Sequence, residues 1–114
     1  NLSKEKMLGI KKKILKKYGA VSEMVACEMA RSATFEGSED IGIGITGIAG
    51  PGGTTKNKKV GVVCIAIADR KKLYEISREF QLKGSRENIR LSSVESALDL
   101  LIYYIQNRNK LTKI

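Results

Sequence analysis

The stretch Ile41 to Gly53, IGIGITGIAGPGG, constrains the fold more than any other part of the chain. Ile41, Ile43 and Ile45 alternate with Gly42, Gly44 and Thr46, the period of two that marks a β-strand. One face of that strand carries three β-branched side chains, and the other is nearly bare. A face reduced to glycine admits another backbone, a helix or a ligand at close range. The strand runs straight into Gly47, Gly50, Gly52 and Gly53 around Pro51, the single proline of the chain. Glycines in such a turn can aim successive N–H groups at one point and hold an anion. The same residues also make a plain tight turn.

Two phosphate motifs can be tested directly. A Walker loop requires G-x-x-x-x-G-K-[ST], and no Gly-Lys-Ser/Thr ending is present; the first lysine downstream is Lys56. Gly42, Gly44 and Gly47 match G-x-G-x-x-G, but the first two lie inside the strand. Pro51 and the polar run 54–59 then lead to a second strand where a helix would have to begin. Neither motif holds.

A chain of 114 residues is expected to form one domain, spanning 1–114. Hydrophobic residues at 42% and charged residues at 29% suit a globular protein, and no apolar run reaches membrane-span length. Cys27 and Cys64 lie far apart, and the chain contains no histidine. Two thiolates cannot close a four-ligand zinc site within one chain, so no metal is expected. Buried free thiols point to a reducing, cytoplasmic compartment. The net charge of +9, with a cluster at Lys11, Lys12, Lys13, Lys16 and Lys17, raises nucleic-acid binding. Only Tyr18 is near that cluster for base stacking and no readout motif accompanies it, so nucleic acid is not the expected partner.

Residues 3–18 read as a helix capped by Ser3 and interrupted near Gly9. Gly19 suits the end of that helix, and Ser22 suits the N-cap of the next, with Glu23 favourable in its first turn. A helix from Glu23 to Phe35 would place Val25, Ala26, Met29, Ala30 and Ala33 on one face, and Gly37 stops it. Residues 60–68, VGVVCIAIA, read as a strand covered on both faces in mid-sheet. After the charged turn Asp69 to Lys72, Leu73 to Phe80 alternates as an antiparallel strand nearer the edge. The last helix opens at Ser85 and runs to about Asn107, with Val94, Ala97, Leu98, Leu101, Ile102 and Ile105 as its expected buried stripe. The fold class is α/β: three strands with about three helices packed on them.

TGIAGPGG, a polar spacer and VG-x-V-x-IA together resemble the C-terminal domain of the CinA family, the nicotinamide mononucleotide deamidases. GAVSE at Gly19 to Glu23, the spacing of Asn1, Lys4 and Gly9, and GSR-x-x-IR at Gly84 to Arg90 agree with it. The family's third loop glycine is Thr54 here, and the proline expected before Val60 is Lys59.

The resemblance implies an amidohydrolase that needs no cofactor and takes a small mononucleotide as substrate. It assigns the catalytic base to Lys4, the lysine of a Y-S-N-x-x-K motif of which Asn1 and Lys4 remain. A lysine can act so where burial lowers its pKa. It assigns substrate binding to Asn1, Thr46, Gly47, Ala49, Gly50, Pro51, Gly52 and Gly53, and to Arg86 and Arg90. Those two arginines stand four apart at a helix N-terminus, where the dipole disfavours cations unless an anion compensates.

The family's nucleophile belongs to an E-S-C-T-G-G segment that is not among these residues. The chain is therefore expected to be a fragment, a cleaved product, or a protein whose N-terminal part is elsewhere. An apolar edge left by that segment would favour a homo-oligomer or a retained partner fragment. Alternatives to the enzyme are a nucleotide-binding or regulatory module without catalysis, and a basic nucleic-acid-associated protein.

Overall fold

The computed structural model describes residues 12, 16–17, 19–37, 41–50 and 59–110. Ser22 begins the first helix, α1 (Glu23–Gly37): its Oγ accepts from Val25 N at 3.2 Å and donates to Gly19 O at 3.0 Å. The GAVSE segment is thus a capped helix start, and Ser22 serves as a cap.

Three strands follow, β1 (Ile41–Gly47), β2 (Val62–Asp69) and β3 (Tyr74–Gln81), and then a second helix, α2 (Arg86–Asn107). The strands form one sheet in the order β1-β2-β3, with both pairs antiparallel. Ile43 stands opposite Ile67, and Ile67 opposite Ile76. All eight residues of β2 are buried, as expected of the middle strand, while β3 is half exposed at an edge. β2 starts at Val62 and not at Val60 because Gly61 turns the chain at φ +94°. Gly61 N donates to Ile48 O at 2.7 Å, and Gly61 O accepts from Leu82 N at 2.7 Å. A side chain there would be strained by the left-handed backbone and would put a Cβ 2.1 Å from Leu82 O.

The sheet lies between the two helices. α1 covers the small-residue face, where Ala26 and Ala30 pack on Cys64, Ala66 and Ala68. α2 covers the other face, where Ile89, Ala97, Leu100 and Tyr104 meet Val63, Ile65, Ile67 and Ile76. Glu23 accepts from Ser77 Oγ at 2.6 Å, and Arg31 pairs with Glu28 at 2.7 Å and with Glu75, which fastens α1 to β3.

Three expectations need correction. Two helices are counted among the described residues, against about three expected. The helix expected over 3–18 falls almost wholly outside them, although Lys12, Lys16 and Lys17 are helical and exposed. The buried stripe of α2 is also displaced. Ile89, Ser93, Ala97, Leu100 and Tyr104 face the sheet, while Val94, Leu98, Ile102 and Ile105 are exposed. Small Ser93 and Ala97 let the helix approach the bulky β2 residues, and the Tyr104 hydroxyl reaches the buried Asp69. These contacts rotate the helix by roughly one residue, about 100°, away from its most apolar side. On α1, Ala33 is exposed, and Cys27 and Thr34 are buried in its place.

Candidate functional site

The glycine turn opens at the end of β1 beside the start of α2. Beyond Gly47 the pairing continues for one residue: Ile48, buried, donates from N to Val62 O at 3.0 Å. Gly47 is a place of close approach, since a Cβ there would lie 2.8 Å from Val63 Cγ2. Gly50 is open, with nothing among the described residues within 4 Å of an added Cβ.

At the other wall, Ser85 caps α2. Its Oγ accepts from Asn88 N at 3.1 Å, while its own N donates to Asn88 Oδ1 at 3.2 Å. This capping box fixes the first turn, and Arg90, just beyond it, lines the space beside the end of β1. The two walls enclose a cavity of about 250 Å³ lined by Ile45, Gly47, Ala49, Val63, Ile89, Arg90, Ser93 and Val94. Its walls are mostly apolar. Ser93 donates to Ile89 O at 2.7 Å, which leaves Arg90 as the cationic group of the lining.

The predicted residues divide accordingly. Gly47, Ala49 and Arg90 come together in this cavity, and Gly50 follows directly on the same turn. Thr46 points to the opposite face, where its hydroxyl donates to Ala20 O at 3.0 Å and ties β1 to the start of α1. Arg86 is exposed on α2 and is not part of the lining. Asn1, Lys4, Pro51, Gly52 and Gly53 lie outside the described residues. Among the described residues neither Arg86 nor Arg90 forms an ion pair with another, whereas Arg31 pairs with Glu28 and Glu75. Sequence reasoning missed Ile89 and Ser93 as wall residues. The available signal was their spacing of one and five residues from Asn88, the far half of the capping box.

A second cavity, of about 280 Å³, lies at the opposite end of the sheet between Arg31, Asp69, Leu73, Tyr74 and Glu75. Its charged groups are already engaged. Asp69 accepts from Lys72 N at 3.0 Å and from the Tyr104 hydroxyl at 2.6 Å, and Arg31 is held by two glutamates. Burial first, and then the bond to Asp69, holds the Tyr104 hydroxyl well above its ordinary pKa of 10.0. That end is built for holding the hairpin and α2 together. Among the described residues no cluster of His, Cys, Asp and Glu could hold a metal ion, and no helix is long and apolar enough to cross a membrane.

The fold and the cavity together define a class: an α/β domain in which the end of β1 and the N-terminal half of α2 line one pocket. The chain belongs to the CinA C-terminal domain family, whose profile matches residues 1–105. It is 43% identical over 107 residues to a CinA-like protein of Syntrophomonas wolfei, covering 94% of this chain and 25% of that protein. It is 48% identical over 101 residues to a putative competence-damage inducible protein of Moorella thermoacetica, covering 89% and 24%. Among solved structures, the competence/damage inducible protein CihA of Agrobacterium tumefaciens superposes with a TM-score of 0.78 at 36% identity, covering 90% of this chain and 62% of that one. The chain thus spans about a quarter of the length of the curated relatives it matches.

Proposed function

We propose that this domain grips the phosphate end of a pyridine mononucleotide for an amidohydrolase that converts nicotinamide mononucleotide to nicotinic acid mononucleotide and ammonia. The observation that carries the reading is the convergence of Gly47, Ala49 and Arg90 on one cavity at the end of a strand, where α/β sheets usually place ligands. The Arg90 guanidinium, in no ion pair with another described residue, suits a dianionic phosphate. The apolar walls suit the flat ring and ribose of the same molecule. In the reaction, a nucleophile adds to the amide carbonyl, the C–N bond breaks and ammonia departs. Water supplies the oxygen of the resulting carboxylate. By resemblance, Lys4 is the base.

The described serines with assigned bonds serve other ends: Ser22 and Ser85 cap helices, Ser77 donates to Glu23 and Ser93 donates to Ile89 O. By resemblance the nucleophile belongs to a segment that is not among residues 1–114, so these residues alone should bind the mononucleotide without hydrolysing it at an enzymatic rate. Missing one member of a nucleophile–base unit typically costs a factor of about 10⁴ or more. Titration calorimetry and an ammonia assay on the same sample separate the two statements. Arg90→Ala should weaken binding by roughly 10–100-fold, the range of a charge-assisted hydrogen bond. Gly50→Val should do the same without lowering the melting temperature. Unchanged affinity in both folded variants would remove the cavity from consideration, and rapid ammonia release by residues 1–114 would show a nucleophile within them.

A further inference from the structure

At one end of the sheet a single row of backbone bonds runs across all three strands. Ile48, just past β1, accepts from Gly61 N at 2.7 Å, and Gly61 O accepts from Leu82 N, just past β3, at 2.7 Å. The row sets three passages of chain side by side: the exit of the glycine-rich stretch at Ile48, the return of the chain at Gly61, and the lead into α2 at Leu82. Gln81 adds a cross-tie. Its side-chain amide donates to Val60 O at 3.0 Å and to Leu82 O at 3.3 Å, one bond for each N–H of the group. The bare Gly61 makes room for it, since a Cβ there would lie 2.8 Å from Gln81 Nε2.

We propose that Gln81 is a positioning residue for the cavity beside Arg90: by tying Val60 to Leu82 it fixes the spacing of the two walls, and it does so without lining the cavity itself. On one side the tie reaches the cavity through Gly61 and Ile48, whose neighbours Gly47 and Ala49 are wall residues. On the other it reaches Arg90 through a short, stiff lead. Leu82 stands three residues before Ser85. Gly84 turns the chain at φ +108° and lies against Asn88, the partner of Ser85 in the capping box. Ile89 and Arg90 follow at once.

Gly61 and Leu82 already share a backbone bond. A lone bond leaves two passages of chain free to pivot about it. The Gln81 amide, holding a carbonyl of each, removes that freedom. Groups that grip one ligand must keep their places to within about 0.5 Å, and hydrogen bonds from residues behind them supply this. Gln81 therefore alters the affinity of the site through Arg90 and without touching the ligand. This role rests on the reading of the cavity as a mononucleotide site.

Titration calorimetry with nicotinamide mononucleotide tests the role, together with amide hydrogen exchange on the same proteins without ligand. Gln81→Met keeps the length of the side chain and removes both donors. It should lower affinity roughly 3–10-fold, the range of one or two neutral hydrogen bonds. Exchange should quicken at Leu82 and in the first turn of α2 but not at Ile65 in mid-sheet. Gln81→Lys restores a donor group that can serve both carbonyls, and should bring affinity back to within about twofold of wild type. Beside Arg90→Ala, Gln81→Met should add less than about a twofold loss, because the group it positions is gone. Wild-type affinity in Gln81→Met overturns the proposal. So does a loss that persists undiminished beside Arg90→Ala, a failure of Gln81→Lys to rescue, or exchange quickened throughout the sheet, which marks a purely structural role. Where the wild type does not bind the mononucleotide, the reading of the cavity fails and exchange alone decides the tie: local quickening supports it, and none overturns it.

Discussion

The two faces of the sheet bury similar kinds of residue by different means. On the α1 face, Gly42 and Gly44 bring backbone against backbone. A Cβ at Gly42 would lie 2.2 Å from Ala30 O, and one at Gly44 would lie 2.1 Å from Ala26 O. On the α2 face the contact is made by large side chains, with Ile65 and Ile67 fully buried under Tyr104, Leu100 and Ile89. Strand β2 supplies both faces by alternating volume: Val63, Ile65 and Ile67 point one way, and Cys64, Ala66 and Ala68 the other. A backbone contact has no rotamer with which to yield, whereas a side-chain contact can lose volume and partly collapse. The α1 face should therefore reject added atoms, and the α2 face should register lost ones.

The largest effect expected from this contrast is at Gly44. Gly44→Val drives three carbons into the carbonyl of Ala26 and the amide of Ala30, and the helix can only move away as a body. A loss of more than about 4 kcal/mol is expected, a large part of the stability of a small domain. Urea titration checks it. A folded variant with near-native stability would mean that α1 is not tightly docked.

The α2 face is tested next, by neighbours in sequence that the structure assigns to opposite environments. Leu100 is 7% exposed and Leu98 is 51% exposed. Leu100→Ala should cost about 2–4 kcal/mol, as cavity-forming core substitutions do. Leu98→Ala should change the stability by less than about 0.5 kcal/mol. Equal losses at the two positions would restore the stripe expected from the sequence and place α2 the other way round.

That displaced stripe shows where the sequence was legible and where it was not. β1 could be read because the glycine–isoleucine alternation is a strong local signal, and the Ser22 cap because its hydrogen bonds are local. The central place of β2 followed from its unbroken apolarity. The orientation of α2 depends on the Tyr104–Asp69 bond, which joins residues 35 apart, and on the small size of Ser93 and Ala97. Neither raises the hydrophobicity of the side they occupy, so a reading by apolar periodicity favoured Val94, Leu98 and Ile102. Of the residues lining the cavity, Gly47, Ala49 and Arg90 were named through motif resemblance. Ile89 and Ser93 were not, because their place in the wall depends on how α2 lies over β2. Thr46 was named with the loop although strand alternation alone puts it on the face opposite Ile45, where Ala20 O holds it.

Tyr104 gives a smaller expected loss than Gly44 or Leu100, and it is the residue that links α2 to the hairpin. Its ring is buried and stacks on Tyr74 with centroids 5.8 Å apart, and its hydroxyl donates to Asp69 Oδ2. Tyr104→Phe keeps the ring and leaves that carboxylate oxygen without its donor, which should cost about 1–3 kcal/mol. The pH dependence reports the burial of the phenol first and its bond to Asp69 second. In the folded chain the phenol is held above its ordinary pKa of 10.0, so the unfolded chain releases its proton first. The folded state then binds more protons than the unfolded one, and stability falls as pH rises above 10. Below 10 both states keep the proton, and the contribution is complete and constant. Burial also pushes the Cys27 thiol up from 9.0, so it adds a loss of the same sign at alkaline pH. Cys27 is present in both proteins, and the difference between wild type and Tyr104→Phe therefore isolates the phenol. Denaturant titrations at pH 7 to 11 should show the gap between the two proteins constant up to about pH 10 and narrowing above it. A gap that stays constant through pH 11 would mean that Tyr104 ionises as freely in the folded chain as in the unfolded one, and that its hydroxyl is not buried between α2 and the hairpin.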